Sequence, residues 1–225
     1  MENKEIKHKI KKKPWPTKRA MEQVYEMNLW GSNNSTFYSG KGSHKPEIIN
    51  PYIKTVRTFL KSFKKPLIVC DLGCGDFNVG KELVNCTKQY IGVDIVTDLI
   101  EYNKQVFEEN NLEFHCLDIA EEDLPKGDCV LLRQVLQHLS NHEIEKVVSK
   151  LSDYKYVILT EHLPVGNFIP NKNIISGQGI RIKKKSGVNL LVPPFCLKIK
   201  KEKQLLSVVL DNNKGVIITT LYILF

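Results

Sequence analysis

No stretch of the 225 residues approaches the roughly 20 consecutive apolar side chains of a membrane-crossing helix. The basic N-terminus is not followed by an apolar run, so it does not read as a secretory signal. The six cysteines include no Cys-x-x-Cys pair and the six histidines are scattered, so neither a disulfide frame nor a metal centre is expected. Cys70, Cys116, Cys129 and Cys196 sit in or beside apolar runs and read as buried thiols of a reducing compartment, which places the chain in the cytoplasm. No G-x-x-x-x-G-K-[ST] loop occurs, which argues against a nucleoside triphosphatase. The dinucleotide pattern G-x-G-x-x-G is also missing, because Asn78 stands where its third glycine would be.

The sequence does contain a run of buried-strand character that ends in glycines. Leu67-Ile68-Val69-Cys70 is followed by Asp71 and then by Gly73-Cys74-Gly75. A loop with so few side chains lets backbone approach a ligand closely. A second apolar run, Tyr90-Ile91-Gly92-Val93, ends in Asp94, 23 residues after Asp71. A carboxylate at a second strand end, about 20 residues on, is placed to take both hydroxyls of a ribose. Together they predict an adenosine-like ligand at the carboxyl edge of a parallel sheet. Acids flank the glycines on both sides, Asp71 and Asp76, which suits a cationic ligand better than a pyrophosphate.

At DLGCGD the chain resembles the class I S-adenosylmethionine-dependent methyltransferases. The likeness continues through Phe114-His115-Cys116-Leu117-Asp118-Ile119 and through Asp128 to Ser140, DCVLLRQVLQHLS. The stretches VYEMNLWGSNNSTFYSGKGS, RQVLQHLSN and LLVPPF resemble a bacterial subfamily of uncharacterised substrate, over about residues 24–225. Many of its members keep Asp where this chain has Gln134, which puts that acid's role in doubt here. The resemblance implies S-adenosylmethionine as cofactor. It implies that Asp71, Gly73 and Gly75 face the methionine part, Asp94 and Ile95 the ribose side, and Asp118 and Ile119 the adenine. Asp94 has a competing reading as a helix N-cap, and Asp118 as a turn acid. Trp30, before a Gly/Ser-rich loop, reads as part of a lid over the cofactor. Arg133 at the end of the fourth strand faces the methyl group. His138 either accepts a proton from the acceptor or packs without taking part. Glu161 and His162 end the fifth strand, as an acceptor-binding pair or a surface pair.

Apolar spacing predicts helices at 17–30, 46–63, 77–86, 97–109 and 141–152, and strands at 67–71, 90–94, 112–117, 128–133 and 155–161. A closing hairpin turns at Asn-Asn-Lys-Gly. The expected fold is α/β: a seven-stranded, mostly parallel sheet with helices on both faces, a C-terminal antiparallel hairpin strand and an N-terminal helical lid. The expected division is a basic arm at 1–20, a lid at 21–63 and the cofactor domain at 64–225. Residues 1–20 carry +6 and residues 181–203 carry +7, leaving −5 of the formal +8 for the rest. Both basic segments read either as solvated lysines or as an anionic-polymer surface. The expected acceptor is a small molecule or saccharide. RNA methylation and an inert binding module remain as alternatives, and the oligomeric state is open.

Overall fold

The computed structural model describes residues 14–210 and 215–225. Most of the basic arm, and the tip of the closing hairpin, lie outside them. Strands β1 (Ile68–Leu72), β2 (Gln89–Asp94), β3 (Leu112–Cys116), β4 (Cys129–Arg133) and β5 (Tyr156–Leu163) are parallel. β7 (Val216–Ile223) pairs antiparallel with β5, and β6 (Lys201–Val209) pairs antiparallel with β7 at the outer edge. The strand order is β3-β2-β1-β4-β5-β7-β6. The chain reverses its winding between β1 and β4, and ligands of open α/β sheets bind in the crevice at that switch.

The central strands are buried on both faces, so their sequences are continuous apolar runs rather than alternating ones. Successive side chains still point to opposite faces. Val130, Leu132, Val157 and Leu159 pack with Ile144, Val147 and Leu151 of α4 (Asn141–Leu151). Leu131 and Ile158 pack on the other face with Tyr52, Val56 and Leu60 of α2 (Pro46–Lys61). Helices therefore cover both faces, as the strand–helix alternation implies. α4 opens with a capping box between Ser140 and Glu143, and α2 opens with Pro46 in its first turn. A third, smaller cluster seats α1 (Thr17–Glu26): Met21 and Val24 rest on Val96 and on Leu99 of α3 (Thr97–Val106).

Four expectations are corrected. Residues 77–86 form 3-10 turns at Gly80–Glu82 and Val84–Cys86, not an α-helix. Phe77 is left-handed at φ +58°, and its ring fills the space a side chain on Gly80 would need. α1 stops at Glu26 because Asn28 turns left-handed at φ +50°, so Trp30 lies in the following loop. Cys196 is exposed, at φ +47° just after Pro193-Pro194, whereas Cys70 and Cys129 are fully buried. Arg181, counted with the solvated cations, is 1% exposed.

Candidate active site

The glycine turn follows directly from β1. Gly73 and Gly75 both hold positive φ, +86° and +57°. A Cβ on Gly73 would stand 2.3 Å from Val135 Cγ2, and one on Gly75 would stand 2.5 Å from Ser39 Oγ. The turn is anchored by Gly73 N and Cys74 N, which donate to Val93 O at 2.7 and 2.9 Å. β2 thus sets the height of the loop that β1 delivers.

Asp94 closes β2. Its Oδ2 accepts from Gly75 N and its Oδ1 from Val96 N, each at 3.1 Å. It does not cap α3, whose N-cap is Val96 with no side-chain bond. Each carboxylate oxygen keeps lone-pair capacity for a further donor. Burial pushes Asp94 up, and these backbone bonds pull it back. Asp71 is buried beneath the turn and accepts from Tyr90 Oη at 2.8 Å. Burial raises its pKa to about 6, with the Tyr90 bond and the Arg133 guanidinium opposing. Asp118 accepts from Ala120 N at 2.9 Å, and its own N–H donates to Glu122 at 2.8 Å.

Arg133 ends β4. It donates to Gly42 O and, at 3.2 Å, to Ser43 Oγ, and it lies 5.0 Å from the centre of the Tyr52 ring. Its Nε is buried without a partner. Gln134 follows at φ +59°, with its side chain against Gly42.

His138 is a neutral imidazole with both nitrogens engaged. Nδ1 faces the Gly177 carbonyl at 3.1 Å, so Nδ1 carries the proton. Nε2 is left to accept from the Gln137 amide at 3.3 Å. Burial drives its pKa down to about 4, against the carbonyls of Gly177 and its neighbours. The Trp30 ring lies 5.1 Å from the imidazole.

Glu161 and His162 do not form a pair. Neighbours on a strand point to opposite faces. His162 faces the cavity, whereas both Glu161 oxygens are buried with no hydrogen-bond partner. Burial lifts Glu161 to about 8 despite the nearby Arg181 charge and the amides of Gln137 and Leu136.

A cavity of about 900 Å³ joins these groups. Asp71, Gly73, Gly75, Asp94, Ile95, Asp118, Ile119, Arg133, His138, His162 and Trp30 all line it. The N-terminal segment forms part of its wall through Tyr25, Trp30 and Ser39–Ser43. Asp76, read from the sequence as an acid suited to a cationic ligand, instead fastens that segment to the glycine turn, with Ser39, His44 and Tyr25. Ser39 N donates to Asp76 Oδ2 and Asp76 N donates back to Ser39 Oγ, both at 2.8 Å. His44 Nε2 reaches the same Asp76 oxygen at 2.6 Å, and Tyr25 Oη meets Ser39 Oγ at 2.9 Å. Only the serine- and glycine-rich composition of 31–43 hinted at these contacts. His138 and His142 are four positions apart, but His142 is exposed on α4. Among the described residues no three His, Cys, Asp or Glu gather as a metal site. Among them too, no helix is long and apolar enough to cross a membrane.

Residues 69–154 match a family described as a methyltransferase domain. That stretch is similar to a methyltransferase domain, and it holds β2, β3, β4 and all but the first residue of β1. Methyltransferase domains use S-adenosylmethionine; in this chain the glycine turn leaves no room for side chains at Gly73 and Gly75, and Asp94 lines the cavity beside it. A curated relative, malonyl-[acyl-carrier protein] O-methyltransferase of Acetivibrio thermocellus, is 33% identical over 93 residues. That match covers 39% of this chain, and the chain spans about a third of the relative, 33% of its length. Two solved structures share the fold. N-methyltransferase NodS from Bradyrhizobium japonicum WM9, in complex with S-adenosyl-L-homocysteine, aligns at TM-score 0.65 and 10% identity, over 91% of this chain and 98% of that one. Magnesium protoporphyrin IX methyltransferase from Synechocystis PCC 6803, with bound SAM, aligns at TM-score 0.58 and 16% identity, over 94% and 99%.

Proposed function

We propose that this protein transfers a methyl group from S-adenosylmethionine to an oxygen or nitrogen of a small-molecule or sugar acceptor. The observation that carries the reading is one continuous cavity, which runs from Asp94 to His138 and His162 under the N-terminal segment. Bound cofactor would supply a methyl carbon made electrophilic by the adjacent sulfonium.

The chain's own residues align and enclose. Gly73 and Gly75 let backbone approach the methionine portion, and the buried Asp71 favours its cationic end. Asp94 takes the ribose hydroxyls, with Ile95 beside it. Asp118 accepts from the adenine amino group, and Ile119 meets the ring. Arg133 braces Gly42 and Ser43 at the acceptor end. Held neutral and hydrogen-bonded at both nitrogens, His138 is a weak base, and it shapes the pocket rather than drawing a proton. His162 lines the same cavity and faces the acceptor end. Holding both reactants at attack distance supplies most of the rate. Residues 28–45 act as the lid that excludes water.

A small acceptor is favoured over RNA by the roof of the cavity. Gln178 Nε2 donates to Leu29 O at 2.7 Å, and Thr17 and Ser176 both bond Glu143. The N-terminal segment thereby meets the connection after β5 above the site. The two named neighbours and the curated relative include both an O- and an N-methyltransferase, which leaves the target atom between those elements.

The test is calorimetric titration with S-adenosylmethionine, followed by a screen of phenols, amines, carboxylates, sugars and short RNA for S-adenosylhomocysteine release. Micromolar binding and turnover with a small acceptor support the reading. Turnover with RNA alone moves it to the polymer. Binding with no turnover on any pool makes the chain a binding module.

A further inference from the structure

Arg181 begins a 3-10 turn, Arg181–Lys184, and its neighbours Lys183, Lys184 and Lys185 are exposed. Its own side chain points inward and spends every donor on backbone or amide oxygen. Nε donates to Lys172 O at 3.1 Å. Nη1 donates to Leu136 O at 3.0 Å and to Gln137 O at 3.3 Å. Nη2 donates to Leu139 O at 2.8 Å and to Asn141 Oδ1 at 2.7 Å. Three of these acceptors are the carbonyls of the turn that carries His138. Glu161, the nearest buried acid, makes no hydrogen bond to it. A buried guanidinium with only neutral acceptors is held there by geometry, not by an ion pair.

The same two stretches of chain meet at several further points. Gly177 N donates to His138 O at 3.0 Å and His138 Nδ1 to Gly177 O at 3.1 Å. Ser140 N donates to Ser176 Oγ, and Asn141 N to Asn173 Oδ1, both at 2.8 Å. Between these fastenings lie Gln178 and Ile180, which face the cavity.

We propose that Arg181 is a positioning residue of the active site: it clamps the segment 171–186 onto the turn 136–139, so that Gln178 and Ile180 form the acceptor-selecting wall and His138 keeps one orientation. A lysine has a single ammonium on a flexible stem and cannot span Lys172 O and three turn carbonyls at once. The inference takes from the methyl-transfer reading only the name of the wall, and its test needs no turnover.

The experiment compares the wild-type chain with Arg181→Met and Arg181→Lys. Nitrogen-15 NMR of the histidine rings at neutral pH should show wild-type His138 as one fixed Nδ1–H tautomer. Both variants should lose that fixed tautomer. Amide exchange over 136–141 should rise about tenfold or more, while β1 and β2 exchange as before. The Kd for S-adenosylhomocysteine should move less than about threefold, because the glycine turn and Asp94 are untouched. Rescue by Arg181→Lys would overturn the proposal, since charge alone would then suffice. An unchanged tautomer and unchanged exchange would overturn it as well. If Arg181→Met does not fold, Arg181→Lys decides, and loss of cooperative unfolding in both makes Arg181 a residue of the whole fold. Wild-type protein that binds no cofactor would sink the methyltransferase reading and leave the NMR outcome standing.

Discussion

Replacing Asp94 by alanine tests the proposed ribose contact, and Asp94→Asn separates that contact from the support Asp94 gives the glycine turn. In the free protein the carboxylate already accepts Gly75 N and Val96 N, each at 3.1 Å. A bound ribose would add two donors to the same carboxylate. Hydrogen bonds to a charged group are worth about 1.5–3 kcal/mol each, so losing two removes about 3 kcal/mol or more of binding. That corresponds to a rise in Kd of about 150-fold. The same change orphans two amides, at about 1 kcal/mol or more each, so a melting temperature lower by about 4–8 °C is expected for a chain of this size. Asp94→Asn keeps an acceptor for one amide and loses the charge, so it should hold the fold better and still bind about tenfold or more weakly. Isothermal titration with S-adenosylmethionine at fixed ionic strength measures the affinities, and thermal unfolding measures the rest. If Asp94→Ala binds within about threefold of wild type, the ribose assignment is wrong.

Gly73→Ala forces a Cβ to within 2.3 Å of Val135 Cγ2 at φ +86°. A loss of about 2 kcal/mol or more in denaturant unfolding is expected, and Val135→Ala should restore only the steric part of it. Ser39→Ala removes the acceptor of Asp76 N and the partner of Tyr25 Oη, so cofactor should leave about tenfold faster, read by stopped-flow tryptophan fluorescence. Burial raises Glu161 from 4.5 to about 8, so the folded chain holds a proton that the unfolded chain releases between those values. Stability therefore falls as pH rises from about 4.5 to about 8, and Glu161→Gln should flatten that slope in urea midpoints measured at both ends.

The central sheet was legible because parallel strands announce themselves. Each is a short apolar run, and the acids Asp71 and Asp94 mark where two of them leave the core. The glycine turn was legible for a related reason, since only glycine suits its positive φ beside Val135 and Ser39. The segment 77–86 was not, because Phe77 and Gly80 pack ring on backbone, and helical spacing of apolar residues says nothing of such a contact. Charge counting misplaced Arg181, and the reading of Glu161 as one of a pair with His162 missed its burial. A formal charge carries no information about burial, and here the cation is satisfied by carbonyls while the acid is driven to hold its proton. The contacts of the N-terminal segment through Ser39, His44 and Asp76 join residues more than 30 positions apart, beyond the reach of any local pattern.

The seating of α1 has a consequence for how this protein would breathe. Met21 and Val24 share a cluster with Val96 and Leu99, separate from the two large cores on either face of the sheet. Opening the N-terminal segment therefore exposes only that small patch and a handful of hydrogen bonds. The sheet need not melt for the mouth to open, so the segment behaves as a local unfolding unit with a free energy well below that of the whole domain. Under the proposed methyl transfer, its opening rate would set an upper limit on how fast spent cofactor leaves, and so on the number of turnovers per second.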